Sequence, residues 1–176
     1  MYKRQQKDVG MVGAKLYYPD DTIQHAGVVV GLGGVAAHVL CKLPRDAEGY
    51  MGRLRCVQEI SAVTAACMMV KTSVFKAVGG FDEELKVAFN DIDLCMKVRK
   101  YGVKIVFTPY AELYHYESKS RGMEDTPEKQ LRFSREVNCF RRKWERELLK
   151  GDPYYNPNLT LNNTDCSLRK QEKNGD

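Results

Sequence analysis

The chain has 176 residues, 43% hydrophobic and 29% charged, and 28 basic against 23 acidic side chains leave a net charge of +5. That length supports one domain with a real core, and the composition excludes a disordered chain. The charge excess suits anionic partners such as nucleotides or a membrane surface, but it is too small to choose between them.

Val9 to Tyr18 reads as a strand, with Gly10 and Gly13 allowing close packing, and Pro19-Asp20-Asp21 reads as a turn. Ile23 to Val30 then reads as the second strand of a hairpin. Gly31-Leu32-Gly33-Gly34 lacks the G-x-G-x-x-G spacing of a phosphate cradle and no convincing helix follows it, so it is read as a flexible turn. Residues 41–56 are polar and weakly periodic, which fits a loop or lid. Ile60 to Val70 is almost continuously apolar, as in a strand buried on both faces.

A short helix follows, with Thr72 or Ser73 as cap, Val74, Phe75 and Val78 inward, and Gly79-Gly80 at its end. Asn90 to Tyr101 is a second helix with Gly102 just past it. Val103 to Phe107 is a strand that Thr108-Pro109 should stop, and Ala111 to His115 a further short strand. Thr126-Pro127-Glu128 opens a long helix with a hydroxyl cap, a proline in the first turn and an acid at the positive dipole end. Phe133, Val137, Phe140, Trp144 and Leu148 keep helical spacing and form its inward stripe. Gly151-Asp152-Pro153 ends that helix, and residues 152–176 read as an extended C-terminal tail.

Cysteines stand at 41, 56, 67, 95, 139 and 166 with no C-x-x-C pair, several of them in apolar runs. A free thiol there acts as a small hydrophobe, which argues for a reducing compartment and against a disulfide framework or a zinc site. No apolar run has the length to span a bilayer, and Met1 to Gln6 lack a signal-peptide core, so a cytoplasmic chain is expected.

The candidate chemistry sits in Gly79-Gly80-Phe81-Asp82-Glu83, Asn90-Asp91-Ile92-Asp93 and Tyr114-His115-Tyr116. On a helix from Asn90, positions 91, 94, 95 and 98 share one face, and Leu94, Cys95 and Val98 are apolar. Asp91 is therefore expected to point into the body of the protein. Asp93 falls off that stripe, with Lys97 four residues on as an ion-pair partner. The plainer alternative is that Asn90 or Asp91 only caps the helix, worth about 1 kcal/mol. A helix N-terminus also stabilises carboxylate and lowers its basicity unless burial offsets the effect. His115 closes a strand as a metal ligand or base, or as a histidine simply bonded to backbone, and Arg121 beyond it suits a phosphate. His25 and His38 lack acidic or cysteine neighbours at ligand spacing and are assigned no chemistry. The basic residues of the last helix read as a solvated face, with anionic lipid headgroups as an alternative contact.

From about Val9 to Leu161 the chain resembles the family 2 glycosyltransferases, inverting enzymes of the GT-A fold. The strongest stretch is Val63 to Gly122: Thr64-Ala65-Ala66-Cys67-Met68-Met69-Val70, the Gly-Gly-Phe-Asp-Glu turn, the acidic helix start, and Thr108-Pro109-Tyr110-Ala111-Glu112-Leu113-Tyr114-His115. Pro153 to Leu159 resembles the family's usual C-terminal trailer. The resemblance implies an α/β fold, a partial GT-A mixed sheet flanked by helices with a long C-terminal helix. It implies transfer of a sugar from a nucleotide-diphospho-sugar to a glycan acceptor hydroxyl, in cell-surface polysaccharide synthesis. The acidic pair that supplies the family's base reads Asn90-Asp91 here, with asparagine in the first place and the presumed base kept as Asp91. Asn90, Asp93, Thr64 and Ala65 would line the acceptor side or support that base. His115 matches the histidine that helps hold a divalent cation, Mn²⁺ or Mg²⁺, at the diphosphate, and Arg121 would meet the diphosphate itself.

The family's nucleotide-binding half, with its Pro-x-Tyr-Asn-like strand and its Asp-x-Asp, is not found ahead of the hairpin. Residues 1–151 are therefore expected to be an acceptor-side part, competent with a missing N-terminal half or another chain. Its open sheet edge would favour self-association, with peripheral contact at the inner face of the membrane and no nucleic-acid partner. The alternative is a non-catalytic remnant or interaction module that keeps the acceptor-side fold.

Overall fold

The computed structural model describes residues 6–116 and 126–170. Strand β1 (Val9–Tyr17) is buried along its whole length except at Val12. Two glycines let it be so. A Cβ on Gly13 would lie 2.3 Å from Val63 Cγ1, and one on Gly10 would lie 2.3 Å from Val103 Cγ2. After a turn in which Asp20 Oδ1 accepts from Thr22 N (3.1 Å) and Thr22 Oγ1 (2.7 Å), β2 (Ile23–His25) returns antiparallel to β1. The expected strand from Ile23 to Val30 does not run through. Gly27 takes φ +109, and beyond it β3 (Val28–Val30) pairs with β4 (Ala36–His38) in a separate two-stranded sheet. The glycine-rich run between them is a tight turn at Leu32–Gly34.

Residues 41–56 hold a single 3-10 turn, Tyr50–Gly52, and lead to β5 (Gln58–Glu59). The stretch from Ile60 to Val70 is likewise broken. Ile60 to Val63 lie in the core, but Thr64 Oγ1 accepts from Ala66 N (3.3 Å) and opens a 3-10 turn at Ala65–Cys67. Strand β6 (Met68–Val70) then pairs antiparallel with β1, with Met69 47% exposed, so it is not buried on both faces. Helix α1 (Thr72–Ala77) buries Val74, has no side-chain cap, and gives way to Gly79 and Gly80, both at positive φ.

Helix α2 (Asn90–Lys100) packs on β1 and β7 (Lys104–Tyr114), which runs parallel to β1. The stop expected at Thr108-Pro109 is a bulge instead. Pairing jumps from Ala14↔Thr108 to Lys15↔Glu112, so the proline falls where the ladder is already open and its missing N–H costs nothing. Helix α3 (Pro127–Lys150) begins with Thr126 Oγ1 accepting from Lys129 N (3.3 Å) and buries Phe140 and Trp144, while Phe133 stays 42% exposed.

The main sheet has the order β2-β1-β7-β5, with β6 also against β1. The protein is therefore α/β, a mixed sheet flanked by helices with a long helix near its C-terminal end, compatible with a partial GT-A-like fold. Beyond α3 the chain folds back on the body, burying Tyr155, Leu159 and Cys166, and Leu40 N donates to Thr164 O (2.6 Å). Asp152 ties this segment down, accepting from Val30 N (2.8 Å), Ser61 Oγ (2.6 Å) and Tyr154 N (2.9 Å). All six cysteines are free thiols. Among the described residues no helix is long and apolar enough to cross a membrane.

The contact at Gly13 is backbone against the root of a side chain, so it cannot relax by a rotamer change alone. Gly13→Ala is expected to lower stability by about 1–3 kcal/mol, read as a shift of the urea unfolding midpoint at unchanged slope.

Candidate functional site

The start of α2 is built from side chains rather than from a conventional cap. Phe89 precedes it at φ +62 and offers no cap bond, but Asn90 Oδ1 accepts from Asp91 N (2.7 Å). Asp91 Oδ1 accepts from Ile92 N (2.9 Å), and its Oδ2 accepts from Ala65 N (3.0 Å). The carboxylate thus closes the helix start and joins it to the 3-10 turn headed by Thr64. Asp91 itself is half-buried, with a side open to solvent. Asn90, Asp91, Thr64 and Ala65 are brought together here.

Asp93 differs from expectation. It is 0% exposed and lies deeper than Asp91. A single helical wheel marks one inward face, but α2 lies between the sheet and α3, and every residue from Ile92 to Met96 is buried. Asp93 turns toward α3. Its Oδ1 accepts from Trp144 Nε1 (2.8 Å) and lies 2.7 Å from Lys143 Nζ. Its Oδ2 lies 3.1 Å from Lys97 Nζ, an ion pair without a well-aligned hydrogen bond. The carboxylates of Asp91 and Asp93 therefore face different partners.

The two lysines carry the charge outward. Lys97 Nζ also donates to Gly80 O (2.6 Å), and Lys143 pairs with Asp82. Sequence reasoning missed a further anchor, Glu136 on α3. It is 3% exposed and accepts from Val87 N (3.1 Å) and Ala88 N (2.9 Å), fixing the segment that enters α2. A signal for it existed: an acid within the inward stripe between Phe133 and Phe140. Cys95, against Val63 N (3.4 Å), is fully buried, and burial pushes its thiol pKa well up, which makes it a packing residue.

His115 follows β7, its backbone N–H bonded to Tyr17 O (2.9 Å). Its Nδ1 lies 2.8 Å from Gln24 Oε1, an acceptor, which orients the ring and turns Nε2 away from that bond. A ring oriented in this way fits a cation ligand. Among the described residues, however, no group of three His, Cys, Asp or Glu side chains comes together to hold a metal. Arg121 lies outside the described residues. His115 and Asp91 do not touch. The Asp91 cluster sits near Gly13, against which Val63 packs, and His115 sits beyond Tyr17, about 13 Å further along the strand. His115 lies at the C-terminal ends of the parallel pair β1 and β7, where open α/β sheets receive ligands, and the Asp91 cluster lies nearer the middle of β1.

His25 and His38 meet each other, Nδ1 to Nδ1 at 2.9 Å, a pairing invisible in their sequence spacing. His25 is wholly buried and its Nε2 has no partner.

Three relatives bear on what this arrangement serves. The chain is 59% identical over 165 residues to the uncharacterized protein y4gI of Sinorhizobium fredii, covering 93% of this chain and 18% of that protein. It is 39% identical over 173 residues to the O-antigen biosynthesis protein RfbC of Myxococcus xanthus, covering 98% of this chain and 13% of that protein. An N-acetylglucosaminyl-diphospho-decaprenol L-rhamnosyltransferase of Mycobacterium tuberculosis is 36% identical over 62 residues, 35% of this chain and 20% of the enzyme. The chain thus spans less than a fifth of the length of the first two relatives. No family model and no solved structure matches it.

Two outcomes follow from the site's electrostatics. Asp93→Asn leaves two ammonium groups facing an uncharged amide, and is expected to cost about 3 kcal/mol, measured by chemical denaturation. The second concerns His25, whose pKa burial holds well below its ordinary 6.5, with repulsion from His38 adding to the effect. The unfolded chain then takes up this proton at higher pH than the folded one. The His25 contribution is complete above about pH 6.5 and is lost as pH falls through the folded value. Thermal midpoints across that range should fall less steeply in His25→Gln than in the parent.

Proposed function

We propose that the chain is the acceptor-side part of an inverting, family 2 glycosyltransferase acting in cell-surface polysaccharide synthesis. The observation that carries this reading is the Asp91 carboxylate. It is half-buried at the start of α2, with one oxygen on Ala65 N and the other on Ile92 N, and it is free to accept a hydroxyl proton from the open side. Similarity over nearly the whole chain to an O-antigen biosynthesis protein, and over a third of it to a rhamnosyltransferase, supports the same reading.

In the proposed mechanism Asp91 removes the proton from the acceptor hydroxyl as that oxygen attacks the anomeric carbon, and the nucleotide diphosphate leaves from the opposite face. Asn90, Thr64 and Ala65 hold the carboxylate in place, and Asp93 holds α2 against α3. His115 Nε2 would take one position on a divalent cation, with the diphosphate supplying oxygen ligands. Bound there, the cation would offset charge on the leaving group. The donor-binding elements, including the Asp-x-Asp, would come from outside these residues, on the same polypeptide or another.

Asp91→Asn keeps an acceptor oxygen for Ala65 N but removes the base. In the full-length enzyme this variant is expected to lose transfer by roughly 10²–10⁴-fold while still binding the nucleotide-sugar in calorimetry with Mn²⁺. Full transfer activity in the variant would remove Asp91 from the role. Loss of donor binding along with activity would show a structural role instead.

A further inference from the structure

Lys15, in the middle of the sheet, is 4% exposed, yet among the described residues it has no carboxylate within ion-pair distance. Its one hydrogen bond is a long one to Arg45 O (3.4 Å). An ammonium has three donors, and burying one with so little to bind is unfavourable. Glu112, directly across the ladder, is engaged elsewhere: Arg45 Nη2 holds it at 2.7 Å. Two residues along β1, the Tyr17 hydroxyl is buried beside Glu112 and Arg45 without a well-aligned hydrogen bond. Lys15 Nζ stands 5.3 Å over the Tyr17 ring, and Arg45 lies 4.6 Å over the same ring. Two buried donors with few acceptors thus share one face of β1.

That face opens. A cleft of about 540 Å³ lies between the β7 bulge and the 41–56 loop, and its charged lining is Lys15, Arg45 and Arg55 with Asp46 and Glu112. The three cations outnumber the two carboxylates, Arg45 holds Glu112, and Arg55 pairs with Glu48 outside the lining.

We infer that this cleft is a binding site for a phosphoryl or diphosphoryl anion, with Lys15 as its central contact, Tyr17 as a neutral donor behind it and Arg55 at the rim. The site uses none of the residues assigned to proton transfer, and its existence does not depend on the chain being a transferase. Burial also lowers the Lys15 pKa, which a bound anion would reverse. The chemistry is common to a nucleotide diphosphate and to a lipid-linked diphosphate.

The test is titration of the full chain with inorganic pyrophosphate, by calorimetry and by thermal shift, alongside Lys15→Met. Saturable binding is expected, with affinity in Lys15→Met weaker by roughly thirtyfold or more. Without ligand, Lys15→Met should melt higher than the parent, because it removes an unpaired buried charge. That rise separates loss of a binding group from loss of folding. Displacement of pyrophosphate by UDP or dTDP would identify a nucleotide as the source, and displacement by farnesyl diphosphate a lipid-linked group. Either result supports the site. Absence of pyrophosphate binding at millimolar concentration, or equal binding by Lys15→Met, overturns it.

Discussion

A single buried carboxylate organises the region around α2. Asp93 has no access to water, and such a charge is tolerable only when paired and hydrogen-bonded. Here it receives an indole N–H from Trp144 and lies against Lys143 and Lys97. Each lysine has a second task, Lys97 on the Gly80 carbonyl and Lys143 on Asp82. One charge therefore binds three parts of the chain that are far apart in sequence: the double-glycine turn, α2 and α3. Glu136 repeats the device one step earlier, with its two oxygens on the amides of Val87 and Ala88. Asp91 can stand at the surface with a defined orientation because the helix beneath it is fixed from behind.

The second constraint is the spacing of layers around β1. Gly10 and Gly13 let Val103 and Val63 approach to distances that any side chain would forbid. Val63 leads directly into Thr64 and Ala65, so Gly13 sets how closely the turn that holds Asp91 can lie to the sheet. Further along, the β7 bulge changes the residues that face Lys15 and Tyr17 from Thr108 and its neighbours to Glu112 and Tyr114. One strand thus presents a packed apolar start and a polar, partly unsatisfied end.

Local signals were legible in the sequence wherever the chain's own chemistry decides the outcome. Thr126-Pro127-Glu128 starts α3, Gly79-Gly80 ends α1, and Asn90 to Tyr101 is a helix to within a residue. The misread places depend on partners distant in the chain. Hydrophobicity joins Ile23 to Val30, but Gly27 turns the backbone and hands the second half to β4. Proline argued for a strand end at Pro109, but the parallel partner β1 carries the ladder past it. Asp91 and Asp93 exchanged depth because α2 is covered on two sides, and the second cover is a helix some fifty residues later (Trp144 to Asp93). His115 was legible as a residue, whereas its Gln24 partner and the Lys15–Arg45 cluster were not, since register alone brings them together.

These constraints place the polar groups in a definite order along β1. Val63 packs against the side of Gly13 where a Cβ would stand, and Lys15 and Tyr17 share that side by strand alternation. The turn that holds Asp91, then Lys15, then Tyr17 and His115 therefore follow one another along the second half of β1, at steps of about 7 Å for every two residues. On the proposed reading, Asp91 at the start of α2 and an anion held by Lys15 on β1 would suit a displacement in which a hydroxyl is deprotonated on one side and negative charge departs on the other. Rigidity matters more than proximity in such an arrangement. Asp91 is held by backbone amides and Lys15 emerges from a buried strand, so under the proposed function neither would need to be ordered when a ligand arrives, leaving that binding energy for the reaction.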